Sequence, residues 1–426
     1  MHIVSPKKRE QAIIVGVANK KQPVDLTEEY LDELSLLADT AGADVIAREI
    51  QERSSIDAAY FIGKGKATAL SQLKKELKAN LIIFDDDLSP AQMRNLENLC
   101  DTKIVDRSGL ILDIFARRAK TREAKTQVEL AQLQYLMPRL TRRWTHLSRQ
   151  AGGAGIGLRG PGETQLEVDK RLISKRIAKL KEELDKIGRQ RKVRRKHRTD
   201  FYKVALVGYT NVGKSTLLNE LTNADVLVED RLFATLDSTV RRMETGENGN
   251  ILLVDTVGFI RKLPHNLIAS FKSTLEEVRD ADLLMLVSDI SLKNYADQIN
   301  VVKAVLKDLS LSEKPLMYVF NKIDKLDDRN HVQEVKNEYS PSVFVSAERG
   351  IFMPELREMI LKASNDGIVE YDIRLDLTKQ KTISQIYDIA EVVSRNFEDG
   401  HVNLRVRVEK KQIPHIEYLI DENLNN

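Results

Sequence analysis

The segment Gly208-Tyr209-Thr210-Asn211-Val212-Gly213-Lys214-Ser215 sets two glycines, a lysine and a hydroxyl at the spacing G-x-x-x-x-G-K-[ST]. These residue types at this spacing can cradle phosphate. The glycines let backbone N–H groups turn inward, Lys214 offers a point charge to the β and γ phosphates, and the Ser215 hydroxyl can ligate Mg²⁺. A β-like run, Tyr202 to Val207, precedes the segment and a helix-like run, Thr216 to Leu221, follows it, which is the setting such a loop requires. Alone, the pattern implies only chemistry on a nucleoside triphosphate.

Downstream motifs narrow the nucleotide. Asp255-Thr256-Val257-Gly258 closes the apolar run Ile251 to Val254, where Asp255 can hold Mg²⁺ through water and the Gly258 amide can sense the γ-phosphate. Asn321-Lys322-Ile323-Asp324 closes Leu316 to Phe320. A carboxylate such as Asp324 can accept from both N1–H and the exocyclic amine of guanine, a pair of donors that adenine lacks. Ser346 and Ala347, with Glu348 beside them, follow Val343 to Val345 and can place a backbone N–H on guanine O6. Four elements in this order, each at the carboxyl end of a strand, imply a guanine nucleotide bound by a Ras-like P-loop G domain with a doubly wound, mostly parallel sheet.

Between the phosphate loop and Asp255 lies Phe233-Ala234-Thr235-Leu236-Asp237-Ser238-Thr239. A threonine here completes the Mg²⁺ shell and closes over the γ-phosphate, giving a loop ordered by GTP and released after hydrolysis. Thr235 is the first choice and Thr239 the second, so Ser215 and Thr235 are the expected metal ligands, and Lys214, Thr235 and Gly258 the groups at the reacting phosphate. The position after Gly258, where Ras-like enzymes carry a glutamine, holds Phe259. A phenyl ring does not polarise water, so unassisted turnover is expected at about 10⁻³ s⁻¹ or below, with a partner accelerating it. Asn211 is a candidate K⁺-binding position, since in some G proteins with this loop pattern an Asn there helps bind K⁺ in place of an arginine finger. Its other role is to cap the loop.

The elements that must position these residues are organised in blocks along the 426 residues. Residues 1–122 alternate short apolar runs (Ala12 to Val17, Leu81 to Phe84, Lys103 to Val105) with helical stretches (Glu28 to Ala38, Ala67 to Lys78), which predicts an N-terminal α/β domain with a largely parallel sheet. Residues 123–198 predict two helices, the first interrupted by Pro138 and the second carrying Leu166, Ile173, Ile177, Leu180, Leu184 and Ile187 at coiled-coil spacing. Seven glycines and prolines between Gly152 and Gly162 separate them, which suggests an antiparallel helical arm with a glycine-rich tip, residues 151–162. Residues 199–364 form the G domain. Residues 365–426 read as strand, helix (Ile383 to Val393), strand and helix, a small C-terminal α/β unit.

Charge singles out the arm. The net charge is +3, yet residues 139–200 contain 19 Lys and Arg against 7 Asp and Glu, a local +12 that leaves −9 on the rest of the chain. Such concentration is the footprint of contact with a polyanion, most plausibly nucleic acid. A solvated helical face is the plainer alternative. Trp144 stands among Arg142, Arg143 and Arg149, suited either to stacking on a base or to a core. Gly63-Lys64-Gly65-Lys66 reads as a surface turn, or as a second nucleotide or RNA contact; Asp85, Asp86 and Asp87 read as a solvated strand-to-helix turn, or as a metal site. No apolar run reaches the ~20 residues of a membrane helix, which excludes stable membrane insertion by such a helix, and the single cysteine, Cys100, suits a reducing, cytoplasmic setting.

The order of these parts resembles the HflX family of translational GTPases. Gly152-Gly153-Ala154-Gly155-Ile156-Gly157-Leu158-Arg159-Gly160-Pro161-Gly162-Glu163-Thr164-Gln165-Leu166-Glu167 looks like that family's signature, as does Leu232-Phe233-Ala234-Thr235-Leu236-Asp237. The resemblance covers nearly the whole chain. It implies a GTPase that binds the large ribosomal subunit in its GTP state and, in several members, splits stalled or idle 70S ribosomes, with rRNA met by residues 139–198 and the tip directed toward the peptidyl-transferase region. Some members bind or hydrolyse ATP through the first domain, where this chain shows no adenine-specific motif. The expected agent is a monomeric, cytoplasmic, Mg²⁺-dependent switch. The alternatives are a large-subunit assembly or quality-control GTPase and, from another class, a regulator that binds protein or an anionic membrane.

Overall fold

The strand β1 (Glu10–Ala18) is buried along seven consecutive residues, as a central parallel strand must be when helices cover both its faces. This computed structural model describes residues 9–20, 22–140, 165–195, 201–222, 231–236, 238–243, 251–264, 277–326, 330–366, 368–398, 400–409 and 412–421. The chain divides into two compact units, residues 1–244 with 252–351, and residues 245–251 with 352–426.

In the first unit, β1 pairs in parallel with β2 (Ala43–Glu52) and β3 (Leu81–Phe84), and β3 with β4 (Lys103–Asp106), giving the order β2-β1-β3-β4. The sequence marks β2 with no apolar run because it is an edge strand whose residues alternate between partial burial and exposure. Helices α2 (Lys64–Leu77) and α3 (Pro90–Cys100) cover one face through Ala67, Leu70, Leu96 and Cys100. Helix α1 (Val24–Thr40) lies against β1 at Gly16, where an added Cβ would stand 2.8 Å from Thr27. Helix α4 (Arg107–Arg118) follows β4, with Asp106 capping its first turn through Gly109 N–H.

Two expectations for this region are corrected. Gly63 to Lys66 is not a surface turn but the start of α2: Gly63 takes the N-cap with φ +85°, and Lys66 pairs with Glu49 on β2. Asp85 is not solvated. It is fully buried, because Arg107 and Lys262, both remote in sequence, neutralise it there.

The segment read as an arm contains two described helices, α5 (Arg122–Leu140) and α6 (Gln165–Arg195). The two pack together, Leu180 is fully buried, and Ile173, Ile177, Leu184 and Ile187 are half-buried along the expected seam. Arg176 clamps Glu129 with two bonds of 2.6 and 2.7 Å. Pro138 does not interrupt α5. It sits in the last described turn, where the missing N–H deletes one bond and the Arg139 guanidinium donates to Tyr135 O at 2.9 Å. Trp144, the glycine-rich tip and the arginines beyond Arg195 lie outside the described residues, as do the side chains from Arg191 to Arg195.

A six-stranded sheet carries the motifs. Its order is β10-β9-β8-β5-β7-β6, built from β5 (Tyr202–Gly208), β6 (Thr239–Met243), β7 (Ile251–Asp255), β8 (Leu283–Asp289), β9 (Leu316–Asn321) and β10 (Ser342–Phe344). The pairs β5 with β8, β8 with β9 and β9 with β10 are parallel. Helices α7 (Lys214–Thr222), α8 (Tyr295–Asp308) and α9 (Asn330–Glu338) accompany it, and the core joins Ala205, Val207, Leu284, Leu286, Ile299 and Phe320.

The second unit contains α10 (Met353–Asn365), then β11 (Ile368–Asp376), α11 (Gln380–Ile389), β12 (Glu391–Glu398), β13 (His401–Glu409) and α12 (Ile413–Asp421). Its antiparallel sheet has the order β11-β13-β12, and Ile386 and Ile416 from its helices bury against Ile373, Leu375, Val402, Leu404 and Val406. The helix expected from Ile383 to Val393 stops at Ile389, because Val392 and the residues after Val393 pair with β13. Among the described residues, no helix is long and apolar enough to cross a membrane.

Candidate functional site

The phosphate-loop residues run from the end of β5 into the first turn of α7. Gly213 has φ +91°, a conformation that costs glycine little, and an added Cβ would meet Asn321 Nδ2 at 2.4 Å. Across the loop, Gly258 leaves room for Thr210 and Lys214, where an added Cβ would stand 2.7 Å from Thr210 Cα. Lys214 is buried, and its Nζ donates to Tyr209 O at 2.7 Å and Gly208 O at 3.3 Å. Burial lowers its pKa to about 8, against an opposing pull from Asp255. An ammonium desolvated to this degree and held by two carbonyls has a strong electrostatic preference for an anion.

Three oxygen-bearing side chains meet beside it. Ser215 Oγ lies 2.7 Å from Thr235 Oγ1 and donates to Asp255 Oδ2 at 2.6 Å. Asp255 is fully buried; burial pushes its carboxyl pKa up, opposed by Lys214 and by hydrogen bonds from Ser215 and Thr235. Its second oxygen, Oδ1, is buried without a hydrogen-bond partner. Two hydroxyls and a carboxylate with an unsatisfied oxygen form an all-oxygen donor set that fits Mg²⁺, which takes few protein ligands and keeps its waters. Thr239 is drawn elsewhere, into β6. Asp237 lies outside the described residues.

The loop bearing Thr235 is held from both sides. Phe233 N–H donates to Thr210 Oγ1 at 2.8 Å, and the Phe233 ring meets the edge of Phe115 of α4 at 4.7 Å. Leu236 is buried and Ala234 half-buried. Thr256 donates to Leu206 O at 2.7 Å and Val257 is buried. Phe259 turns its ring into the sheet core beside Val207 and Val254, while its N–H and C=O bond to Gly208 and Thr210. The position after Gly258 thus contributes packing, and its side chain presents nothing polar to the phosphate.

At the other end, Asn321 is buried and bridges two loops, donating to Val212 O at 2.9 Å and accepting from Ala347 N–H at 3.0 Å. Of the Ser346 and Ala347 amides, either of which could reach guanine O6, that of Ala347 is engaged by Asn321 here. Lys322 donates to Asn211 O at 3.0 Å and pairs with Asp289 at 2.7 Å, laying its stem along the loop. Asn211 has φ +63° and is exposed, as is Glu348. Asp324 stands in a 3-10 turn, and the Ser346 hydroxyl holds its carboxyl below the usual range, helped by Arg349 and Lys325. A carboxylate kept ionised in this way can accept two donors from a base edge.

The N-terminal sheet and its helices supply residues that spacing does not reveal. Tyr209 of the phosphate loop donates its hydroxyl to Glu33 of α1 and accepts from Arg261 N–H at 2.8 Å. Arg107 bonds to Glu33, to Asp85 at 2.6 Å and to Arg261 O at 3.2 Å. Lys262 reaches Asp85 and Asp86, and the Arg261 guanidinium stacks 3.1 Å over the Tyr30 ring. Asp85 and Asp86 thus serve ion pairs, and no acidic or histidine cluster fit for a metal occurs among the described residues.

Three family models match in succession: GTP-binding GTPase N-terminal over residues 28–116, GTP-binding GTPase Middle Region over 118–198, and 50S ribosome-binding GTPase over 203–322. The GTPase HflX of Escherichia coli strain K12 is 43% identical over 403 residues, which span 94% of this chain and 93% of that protein. The GTPase HflX of Flavobacterium psychrophilum is 51% identical over 315 residues, 74% of this chain and 76% of that protein. A solved structure of a GTP-binding protein from the hyperthermophilic archaeon Sulfolobus solfataricus in complex with GDP is 26% identical, covers 84% of this chain and 99% of that one, and has a TM-score of 0.43.

Proposed function

The chain belongs to the HflX family of GTPases, and on that premise we propose that it binds and hydrolyses GTP as a switch acting on the large ribosomal subunit. The observation that carries this reading is the meeting of Ser215, Thr235 and Asp255 beside the buried Lys214, with Asn321 bonded to the same loop at Val212 O and Asp324 three residues beyond it. Lys214 and the amides of the 208–215 loop take the phosphates, and Asp324 takes the guanine edge. Ser215, Thr235 and Asp255 would hold Mg²⁺, which when bound would neutralise charge developing on the phosphates. Thr235 and the Gly258 amide close on the γ-phosphate and let go after hydrolysis.

Ribosome contact is supported by the description of the family model that matches residues 203–322, and its placement on residues 139–198 by their charge. The finer proposal is that the GTP form parts stalled or idle 70S ribosomes into subunits and leaves after hydrolysis. The test measures GTP turnover with and without large subunits, then sediments 70S particles with a non-hydrolysable GTP analogue. Stimulated turnover and release of free subunits are expected. Stimulation with intact 70S particles would transfer the role to assembly or quality control.

A further inference from the structure

The guanine end of the cleft holds a cation that reading a base does not require. Arg349 Nε lies 3.4 Å from Asp324 Oδ2, the carboxylate that the reading above assigns to guanine. The two side chains differ in freedom, since Asp324 is 6% exposed and Arg349 67%. The backbone beneath Arg349 is fixed. Ser346 and Ile351 exchange bonds of 3.1 and 3.0 Å across the loop, and Arg349 N–H donates to Ser346 Oγ at 3.3 Å. A long side chain on a fixed root can therefore swing onto Asp324 or away from it while the loop stays in place.

The chemistry of the two partners is alike. Guanine presents N1–H and the exocyclic amine on one edge, joined through C2; this edge is a guanidine unit, and a guanidinium presents the same paired N–H donors to a carboxylate. Arg349 thus carries, within the chain, a copy of the donor edge that Asp324 reads. Lys322, the neighbouring cation, is committed to Asn211 O and Asp289.

We propose that Arg349 is a gate of the guanine site: its guanidinium occupies Asp324 when no base is present, gives way as guanine binds, and retakes the carboxylate as guanine leaves. The proposal rests on the guanine reading of Asp324. It makes Arg349 a competitor, so the residue weakens nucleotide affinity and hastens release.

The test uses the full chain and mant-GDP, followed by stopped-flow fluorescence with wild type, Arg349→Ala and Arg349→Lys. Arg349→Ala is expected to bind about two- to fivefold tighter at low salt, the scale of an exposed ion pair, chiefly through slower dissociation. Arg349→Lys, which keeps the charge but loses the paired edge, falls between. High salt screens the pair and brings wild type and Arg349→Ala together. In an Asp324→Asn background, probed with mant-XDP, removing Arg349 brings no gain. Equal or weaker binding by Arg349→Ala at low salt overturns the gate, and so does a gain that persists in high salt or without Asp324. Failure of the wild type to bind mant-GDP overturns the guanine reading itself, and the gate with it.

Discussion

The Tyr209 hydroxyl donates a hydrogen bond to the Glu33 carboxylate, tying the phosphate loop to the first helix of the N-terminal sheet across 176 positions of sequence. Glu33 also accepts from Arg107 and pairs with Arg261, so one carboxylate collects the phosphate loop, α4 and the segment just past Gly258. Burial and the Glu33 charge push the Tyr209 phenol pKa up, which keeps it a neutral donor. The phosphate-loop segment is therefore braced by residues of the N-terminal sheet and its helices.

Removing the centre of that brace is costly. Arg107→Met leaves the buried Asp85 and the half-buried Glu33 with less compensation, and a stability loss of about 3–5 kcal/mol is expected, the usual cost of breaking a buried pair from one side. A clear fall in the melting temperature, read by circular dichroism, checks it; an unchanged melting temperature would count against the network.

Affinity for nucleotide should depend on pH through Lys214. In the free protein its pKa is about 8, and a phosphate bound beside Nζ raises it. A group protonated more readily in the bound state contributes affinity that is full below the free pKa and lost as pH rises above it. Binding of mant-GDP is expected to be level up to about pH 8 and then to weaken by up to about tenfold per unit. Lys214→Arg, which puts a guanidinium that stays charged throughout this range at the same position, should flatten the profile, and Lys214→Ala should abolish tight GTP binding at every pH.

Base choice rests on Asp324. Asp324→Asn replaces an acceptor by a donor against the guanine amine, so GTP binding should weaken by at least about 100-fold while a nucleotide carrying a carbonyl at C2, XTP, gains. Competition of the two nucleotides for the variant measures this. Unchanged GTP preference would place base recognition elsewhere.

Phe259 points into the sheet core, so restoring the glutamine found in Ras-like enzymes should not restore catalysis. Phe259→Gln is expected to leave turnover at or below the wild-type rate and to lower stability by about 2–4 kcal/mol, because an amide is buried and an aromatic ring lost. Single-turnover hydrolysis and thermal melting check the two halves; faster hydrolysis would mean that the side chain reaches the cleft.

The cleft's parts were legible in the sequence because each is a short motif at the carboxyl end of a strand, where local spacing fixes geometry. Ser215, Asp255, Asn321 and Asp324 need only their own strands to be placed. Glu33, Asp85 and Arg107 were not legible, since their partners Tyr209, Arg261 and Lys262 lie more than 150 positions away and nothing in local composition marks such pairs. Asp85 read as solvent-facing for that reason. The strand β12 was hidden too, because Ile383 to Val393 keeps a helical apolar spacing until pairing with β13 outweighs it.

Helix α6 runs unbroken for 31 residues and ends six residues before β5, the strand whose far end carries the phosphate loop. At about 1.5 Å per residue it is a rod of roughly 47 Å. A tilt of about 5° at its root sweeps the opposite end through about 4 Å, more than the length of a hydrogen bond. A rod of that length multiplies a small rotation at one end into a displacement of several ångströms at the other.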